Sequence, residues 1–195
     1  MISGILLTAG CSSRFGSPKA LAKWNNKLIF VHLQETLISS KVDEIIVVLG
    51  AFSDEIKPYL LNHKKVKFVY NKDYNFGQTS SFQAGLKFLS DRTSGVLLLP
   101  VDYPFVQAET IDALIDQFLK ARPKVLIPTF DNHKGHPPIF DVSLKEKFLT
   151  MAHDAGINTI AHKYKDETVL TPVDDKGVVL TFNTVEEFKE VIDSL

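Results

Sequence analysis

The sequence predicts an α/β fold: three layers, α/β/α, around a mostly parallel sheet, with a small antiparallel extension in the C-terminal third. Three observations predict it. Short apolar runs rich in Ile, Val and Leu alternate with helix-period segments over the first two thirds of the chain. Those runs are continuous rather than alternating, as expected of strands covered on both faces. Beyond Pro128 the rhythm changes to shorter apolar stretches broken by Pro and Asp. The 195 residues contain no internal repeat, low-complexity tract or linker, so one domain spanning 1–195 is expected.

Taken in order, Ile2–Thr8 reads as a buried strand. Ile29–Ser40 is a helix with Phe30, Leu33 and Leu37 near one face. Glu44–Leu49 is a second strand, and Ser53 is placed to cap a short helix over Asp54–Leu61. Val66–Tyr70 is a strand, Thr79–Leu89 a helix, Val96–Leu99 a strand, Glu109–Lys120 a helix and Val125–Pro128 a strand. Ile139-Phe140, after Pro137-Pro138, suits an edge or antiparallel strand. Val169–Val173 and Gly177–Thr181 flank Asp174-Asp175-Lys176, which reads as a hairpin turn. Val185–Asp193 closes the chain as a helix. Such a Rossmann-like sheet binds ligands at the carboxyl ends of its strands.

Composition excludes several classes. The net charge of −1 supplies no basic field for nucleic acid, and short clusters such as His63-Lys64-Lys65 read as solvated faces. One cysteine allows no internal disulfide and fits a reducing compartment. No stretch approaches transmembrane length, and Ile2–Leu7 is too short for a signal core. A cytoplasmic protein with no membrane partner is expected.

The chemistry begins where the first strand ends. Leu7-Thr8-Ala9-Gly10-Cys11-Ser12-Ser13-Arg14-Phe15-Gly16-Ser17-Pro18-Lys19 is a small-residue loop with two cations, interrupted by one large apolar residue, Phe15. Small side chains let backbone N–H groups approach a polyphosphate, and fixed cations neutralise it. Leu7, Thr8, Ala9, Gly10, Ser12, Ser13 and Gly16 are thus nucleotide-binding candidates, with Arg14 and Lys19 as the charged ones. The spacing is neither a Walker loop nor a dinucleotide fingerprint. Two further loops add to it. Asp102, directly after an apolar strand, brings a carboxylate to the same edge of the sheet, where Mg²⁺ needs few protein ligands. In Gly77-Gln78-Thr79-Ser80-Ser81 a glycine precedes hydroxyls that can cap or donate at the next helix N-terminus.

The string Leu-x-Ala-Gly-x-Ser-x-Arg-x-Gly-x-x-Lys resembles the signature of MobA-like NTP transferases, and its Ala-Gly form looks most like molybdenum cofactor cytidylyltransferases. Leu99-Pro100-Val101-Asp102-Tyr103-Pro104 is similar to the family's metal-binding segment. Gln78, Ser80 and Ser81 match positions that meet base and ribose, and Gly135-His136-Pro137 matches a segment near the acceptor. The resemblance implies a Mg²⁺-dependent nucleotidyltransferase with Arg14, Lys19 and Asp102 as catalytic residues. It would transfer NMP, with CTP as donor on the Ala9-Gly10 form, to a phosphorylated small-molecule acceptor of the molybdopterin type, releasing pyrophosphate. The NTP-binding part would be about 1–105 and the acceptor-binding part, with His136, about 106–195. An unidentified enzyme partner would fit a carrier of such a cofactor.

One segment departs from the family. Where a second metal-binding Asp is usual, this chain has Thr181-Phe182-Asn183-Thr184. Asn183 is the expected second metal ligand beside Asp102, through an uncharged amide oxygen. Glu186 and Glu187 fall in a first helical turn and suit its dipole. Cys11 has no neighbouring base to make it a nucleophile, and His133 with His136 offers no zinc site. Two alternatives remain at this level: a cytidylyltransferase for another phosphate monoester or sugar phosphate, and a non-catalytic nucleotide-binding module. A nucleotide-sugar glycosyltransferase would call for Asp-x-Asp, which Val101-Asp102-Tyr103 does not supply.

Overall fold

The computed structural model describes residues 1–153 and 155–195. Its strands are β1 (Ile2–Leu7), β2 (Lys23–Trp24), β3 (Lys27–Leu28), β4 (Glu44–Leu49), β5 (Val66–Tyr70), β6 (Gly95–Pro100), β7 (Val125–Phe130), β8 (His133–Lys134), β9 (Ile139–Asp141) and β10 (Thr168–Pro172). Its α-helices are α1 (Ile29–Ser39), α2 (Ser53–Ile56), α3 (Gln78–Leu86), α4 (Ala108–Ala121), α5 (Lys145–Leu149), α6 (Asn158–Lys163) and α7 (Val185–Asp193). The main sheet runs β10-β7-β9-β6-β1-β4-β5, with β8 paired to β7.

Side chains along a strand alternate between faces, so each central strand feeds two cores. Ile2 and Leu6 of β1, with Ile45 and Val47 of β4 and Leu97 and Leu99 of β6, meet α1, α4 and α7 through Phe30, Leu33, Ile111, Phe118 and Phe188. Ile5, Ile46, Val48 and Leu98 turn the other way, onto Phe82 of α3 and Phe148 of α5. This is the three-layer arrangement expected. It holds apolar surface on both faces at roughly 25 cal/mol per Å² removed from water.

β1 pairs in parallel with β4 on one side and β6 on the other, and β4 continues in parallel to β5. The carboxyl ends of β1, β4 and β6 therefore share one edge, with the β1 loop flanked by two others. The chain crosses from β1 to β4 on one side and later from β5 to β6 on the other, which opens a crevice above the end of β1.

Of the two options for Ile139-Phe140, edge or antiparallel strand, the second holds: β9 is antiparallel to both β6 and β7 and lies between them. Two expectations need correction. The hairpin across Asp174-Asp175-Lys176 does not form, because β10 pairs in parallel with β7 and Lys176–Val178 is a 3-10 turn. Asp175 is buried instead, taking hydrogen bonds from Gln107 N (2.9 Å) and Thr110 Oγ1 (2.7 Å) at the start of α4. Its carboxylate thus caps a helix remote in sequence and favours that helix's positive end. Ser53 is the first residue of α2, and its hydroxyl makes no cap bond.

Candidate functional site

Loops at the ends of β1, β4, β5 and β6 enclose a cleft of about 310 Å³. The glycine loop contributes Leu7 to Ser12 and Pro18 to Ala20. Phe52 and Ile56 form an apolar side, Tyr74, Asn75, Gly77, Gln78 and Ser81 a second wall, and Pro100, Val101 and Asp102 the third. Gly50 is why the first two walls can meet. A Cβ there would lie 2.5 Å from Ala9 O and 2.8 Å from Tyr74 Cβ, so only glycine lets the backbones approach this closely.

The loop is shaped by its own backbone. Ser12 sits at φ 48°, and its carbonyl accepts from Phe15 N (2.9 Å) and Gly16 N (3.1 Å). Its hydroxyl accepts from Lys19 N at 3.2 Å, pinning the two ends together. Among the described residues, every backbone N–H from Gly10 to Arg14 is left without a protein acceptor. A run of unpaired donors at the mouth of a cleft is the polar complement of an anion. Phe15 anchors the loop from behind: it is buried, with its ring centroid 5.5 Å from Phe182 and 6.1 Å from Phe188.

The cations converge on the C-terminal segment. Lys19 is buried at the cleft wall, and its ammonium donates to Phe182 O (2.7 Å), Asn183 Oδ1 (3.1 Å) and Asp102 Oδ2 (3.4 Å). It also lies over the Phe182 ring, 5.3 Å from the centroid. Arg14 Nη2 donates to the same Asn183 Oδ1 at 3.0 Å. Asn183 is held in turn, because its N–H donates to Glu187 Oε2 at 2.6 Å, while Thr184 Oγ1 caps α7 by accepting from Glu187 N at 3.1 Å. Glu187 therefore does more than complement the α7 dipole.

The second wall is set by Asn71, also buried. Its amide donates to Ser80 Oγ (3.0 Å) and Ser81 Oγ (3.1 Å), and its oxygen accepts from Asp73 N. Ser80 spends its own proton on the backbone, with Asp73 O and Gly77 O in reach at 2.8 and 2.9 Å. Gly77, at φ 94°, turns the chain into α3 and lines the cleft together with Gln78.

His136 stands outside the cleft wall, stacked on Tyr103 with centroids 4.1 Å apart. Burial holds its imidazole down to about 4, and its buried Nδ1 has no partner among the described residues. Burial, and next the charge of Asp102, push the Tyr103 phenol above its usual range. His136 thus packs directly on the residue that follows Asp102.

The structure brings together Leu7, Thr8, Ala9, Gly10, Ser12, Lys19, Gln78, Ser81 and Asp102 around one space. Arg14 and Asn183 join through Lys19 rather than by lining the cleft. Ser13, Gly16, Ser80 and His136 do not line it: Ser13 and Gly16 are exposed on the loop, and Ser80 is turned inward to backbone oxygens. Sequence reasoning missed Asn71, Gly50, Tyr74 and the Phe52–Ile56 side. Asn71 stands one residue past a strand end, a place where a polar side chain signals a turn or a ligand. Nothing local marks Gly50.

Among the described residues, no group of three or more His, Cys, Asp and Glu side chains is placed to hold a metal ion, and no helix is long and apolar enough to cross a membrane. The family model described as "MobA-like NTP transferase domain" matches residues 4–168. The chain is 25% identical over 204 residues to the "Nicotine blue oxidoreductase" of Paenarthrobacter nicotinovorans, covering 98% of this chain and 96% of that one. It is 25% identical over 150 residues to a "Probable molybdenum cofactor guanylyltransferase" of Thermococcus sibiricus, covering 76% and 71%. The Mycobacterium tuberculosis protein Rv0371c superposes with a TM-score of 0.86 at 21% identity, covering 100% of both chains. Its manganese complex gives 0.82 at 20% identity, covering 100% and 99%. At these identities the solved structures speak for the fold.

Proposed function

The chain belongs to the MobA-like NTP transferase family, and from that premise we propose that it transfers a nucleoside monophosphate from an NTP to a phosphorylated small-molecule acceptor. The observation that carries this reading is the run of unpaired N–H groups from Gly10 to Arg14, closed by the ammonium of Lys19. An acceptor phosphate oxygen donates its electron pair to the α-phosphorus. The bond from the α-phosphorus to the bridging oxygen breaks, and pyrophosphate leaves with those electrons. The nucleophile is already anionic, so no side chain need attack or take a proton. The loop amides, Lys19 and Arg14 hold the phosphates in line and stabilise the charge that builds on them.

Gln78 and Ser81 would meet the nucleoside, with Ser80 supporting them through Asn71. His136 and the part beyond residue 105 would meet the acceptor. CTP is the donor read from Ala9-Gly10, and the guanylyltransferase name of the Thermococcus relative makes GTP its direct competitor.

Asp102 suits a divalent cation such as Mg²⁺. Among the described residues only its Oδ2 accepts a hydrogen bond, its side chain is 27% exposed, and Mg²⁺ takes one or two carboxylates with phosphate oxygens and water. When bound, such a cation supplies charge neutralisation at the phosphates.

The test is label transfer. With α-labelled CTP or GTP, Mg²⁺ and a molybdopterin-type phosphate, the label should move to the acceptor. A label that stays in the nucleotide with every phosphorylated acceptor tried contradicts the reading. A second reading is oxidoreduction with a nucleotide-containing cofactor in the same cleft. It is favoured by the nearly full-length match to the Paenarthrobacter protein. Acceptor-dependent oxidation of a reduced nicotinamide or flavin, without pyrophosphate release, would select it.

A further inference from the structure

We propose that Asn183 is a positioning residue that holds the two phosphate-binding cations on one neutral oxygen, and that it is not a metal ligand. The inference rests on the nucleotidyltransferase reading for its purpose and on the local geometry for its content. A carbonyl oxygen has two lone pairs. Asn183 Oδ1 takes Lys19 Nζ at 3.1 Å and Arg14 Nη2 at 3.0 Å, so both are in use. A cation would have to displace one of these donors. The orientation of the amide is fixed by the same contacts, because turning the NH₂ toward two cations would set donor against donor.

The surrounding bonds serve this arrangement. Asn183 N is tied to Glu187 Oε2, Glu187 N to Thr184 Oγ1, and Phe182 is buried between Phe15 and Phe188. The amide is thereby held from the start of α7 and from the back of the loop that carries Arg14. Lys19 is fixed by three acceptors, of which only Asp102 carries charge.

Charge explains why an amide suits this place. Arg14 and Lys19 against Asp102 leave one positive charge to meet a polyphosphate. An aspartate at 183 would keep both hydrogen bonds but cancel that charge. The neutral oxygen positions the cations without spending their field on an internal ion pair. The metal-ligand expectation for Asn183 is replaced by this role, while Asp102 keeps its own.

The test uses the whole chain and two readouts that need no turnover. The first is Mn²⁺ affinity of the protein by electron paramagnetic resonance, with Asp102→Asn as reference for a lost ligand. Asn183→Ala should bind Mn²⁺ within about twofold of wild type. A loss approaching that of Asp102→Asn overturns the proposal. The second is tripolyphosphate affinity by calorimetry in excess chelator. Asn183→Ala should bind about threefold more weakly, because the cations lose their guide. Asn183→Asp should bind about tenfold more weakly, because one charge is cancelled, and tenfold is about 1.4 kcal/mol. Asp has the shape of Asn, so a purely structural role predicts wild-type affinity for Asn183→Asp, and that result also overturns the proposal. If wild type binds neither tripolyphosphate nor any NTP, the nucleotidyltransferase reading fails, and the Mn²⁺ comparison still decides whether Asn183 is a ligand.

Discussion

Lys19 donates to the carbonyl oxygen of Phe182 at 2.7 Å, joining the end of the phosphate loop to a segment 163 residues away. That bond makes the C-terminal segment part of the site. It sets the ammonium beside Asp102 while leaving it at the cleft wall.

Lys19→Ala is therefore expected to lower kcat by about 10²–10³, the cost of removing one preorganised donor to transition-state charge. NTP binding should change less. Steady-state kinetics at saturating acceptor separate the two. An unchanged kcat with a raised KM would make Lys19 a uniform binding contact.

Phe15→Ala should act through the loop. The ring is buried against Phe182 and Phe188, and its loss should cost about 3 kcal/mol of stability. It also frees the backbone that carries Arg14, so KM for NTP should rise more than kcat falls. Denaturant unfolding and initial rates check both effects. Wild-type KM in a folded variant would detach Phe15 from loop positioning.

His136 makes stability pH-dependent. Its folded value, about 4, lies below the unfolded value near 6.5. The unfolded chain therefore binds the proton first as pH falls, and stability is lost progressively from pH 6.5 toward 4, by about 3 kcal/mol at the limit. His136→Phe keeps a ring on Tyr103 and abandons an Nδ1 that has no partner among the described residues. Its stability should be flatter across that window, as measured by urea unfolding at several pH values. Equal slopes for variant and wild type would contradict this assignment.

Glu44 works on the acid side. Burial alone would raise its carboxyl, but Lys67 Nζ at 2.6 Å, Ser90 N at 3.2 Å and Ser3 Oγ at 2.9 Å hold it below the usual range. A lowered folded value gives stability that is present above about pH 4.5 and lost as pH falls through the folded value. Glu44→Gln should cost about 1–3 kcal/mol at neutral pH and much less below pH 4. A penalty that persists undiminished in acid would point to packing instead of charge.

Much of this architecture was legible in the chain. β1, β4, β6 and β7 declare themselves because strands covered on both faces are continuously apolar. The first loop and Asp102 were legible because each directly follows such a strand. What escaped depends on distant partners. Asp175 is the turn residue it looks like, accepting from Gly177 N, but its other oxygen also takes Gln107 and Thr110 at the start of α4. β9 reads as an edge or antiparallel strand, and its place between β6 and β7 is set by those two distant strands. Asn25-Asn26 and Asp131-Asn132, all at positive φ, make the tight β2–β3 and β7–β8 turns, a local signal that was readable. The role of Asn183 had no local signal, since Arg14 and Lys19 reach it from the opposite end of the sequence.

The central claim is that this cleft carries out nucleotidyl transfer, and pyrophosphate release tests it most directly. Wild-type protein with Mg²⁺, each of the four NTPs in turn and a phosphorylated acceptor should release pyrophosphate with one preferred nucleotide, only when acceptor is present. Lys19→Ala should reduce that rate by about 10²–10³. Acceptor-independent release, no release with any nucleotide, or equal rates for wild type and Lys19→Ala would contradict the account.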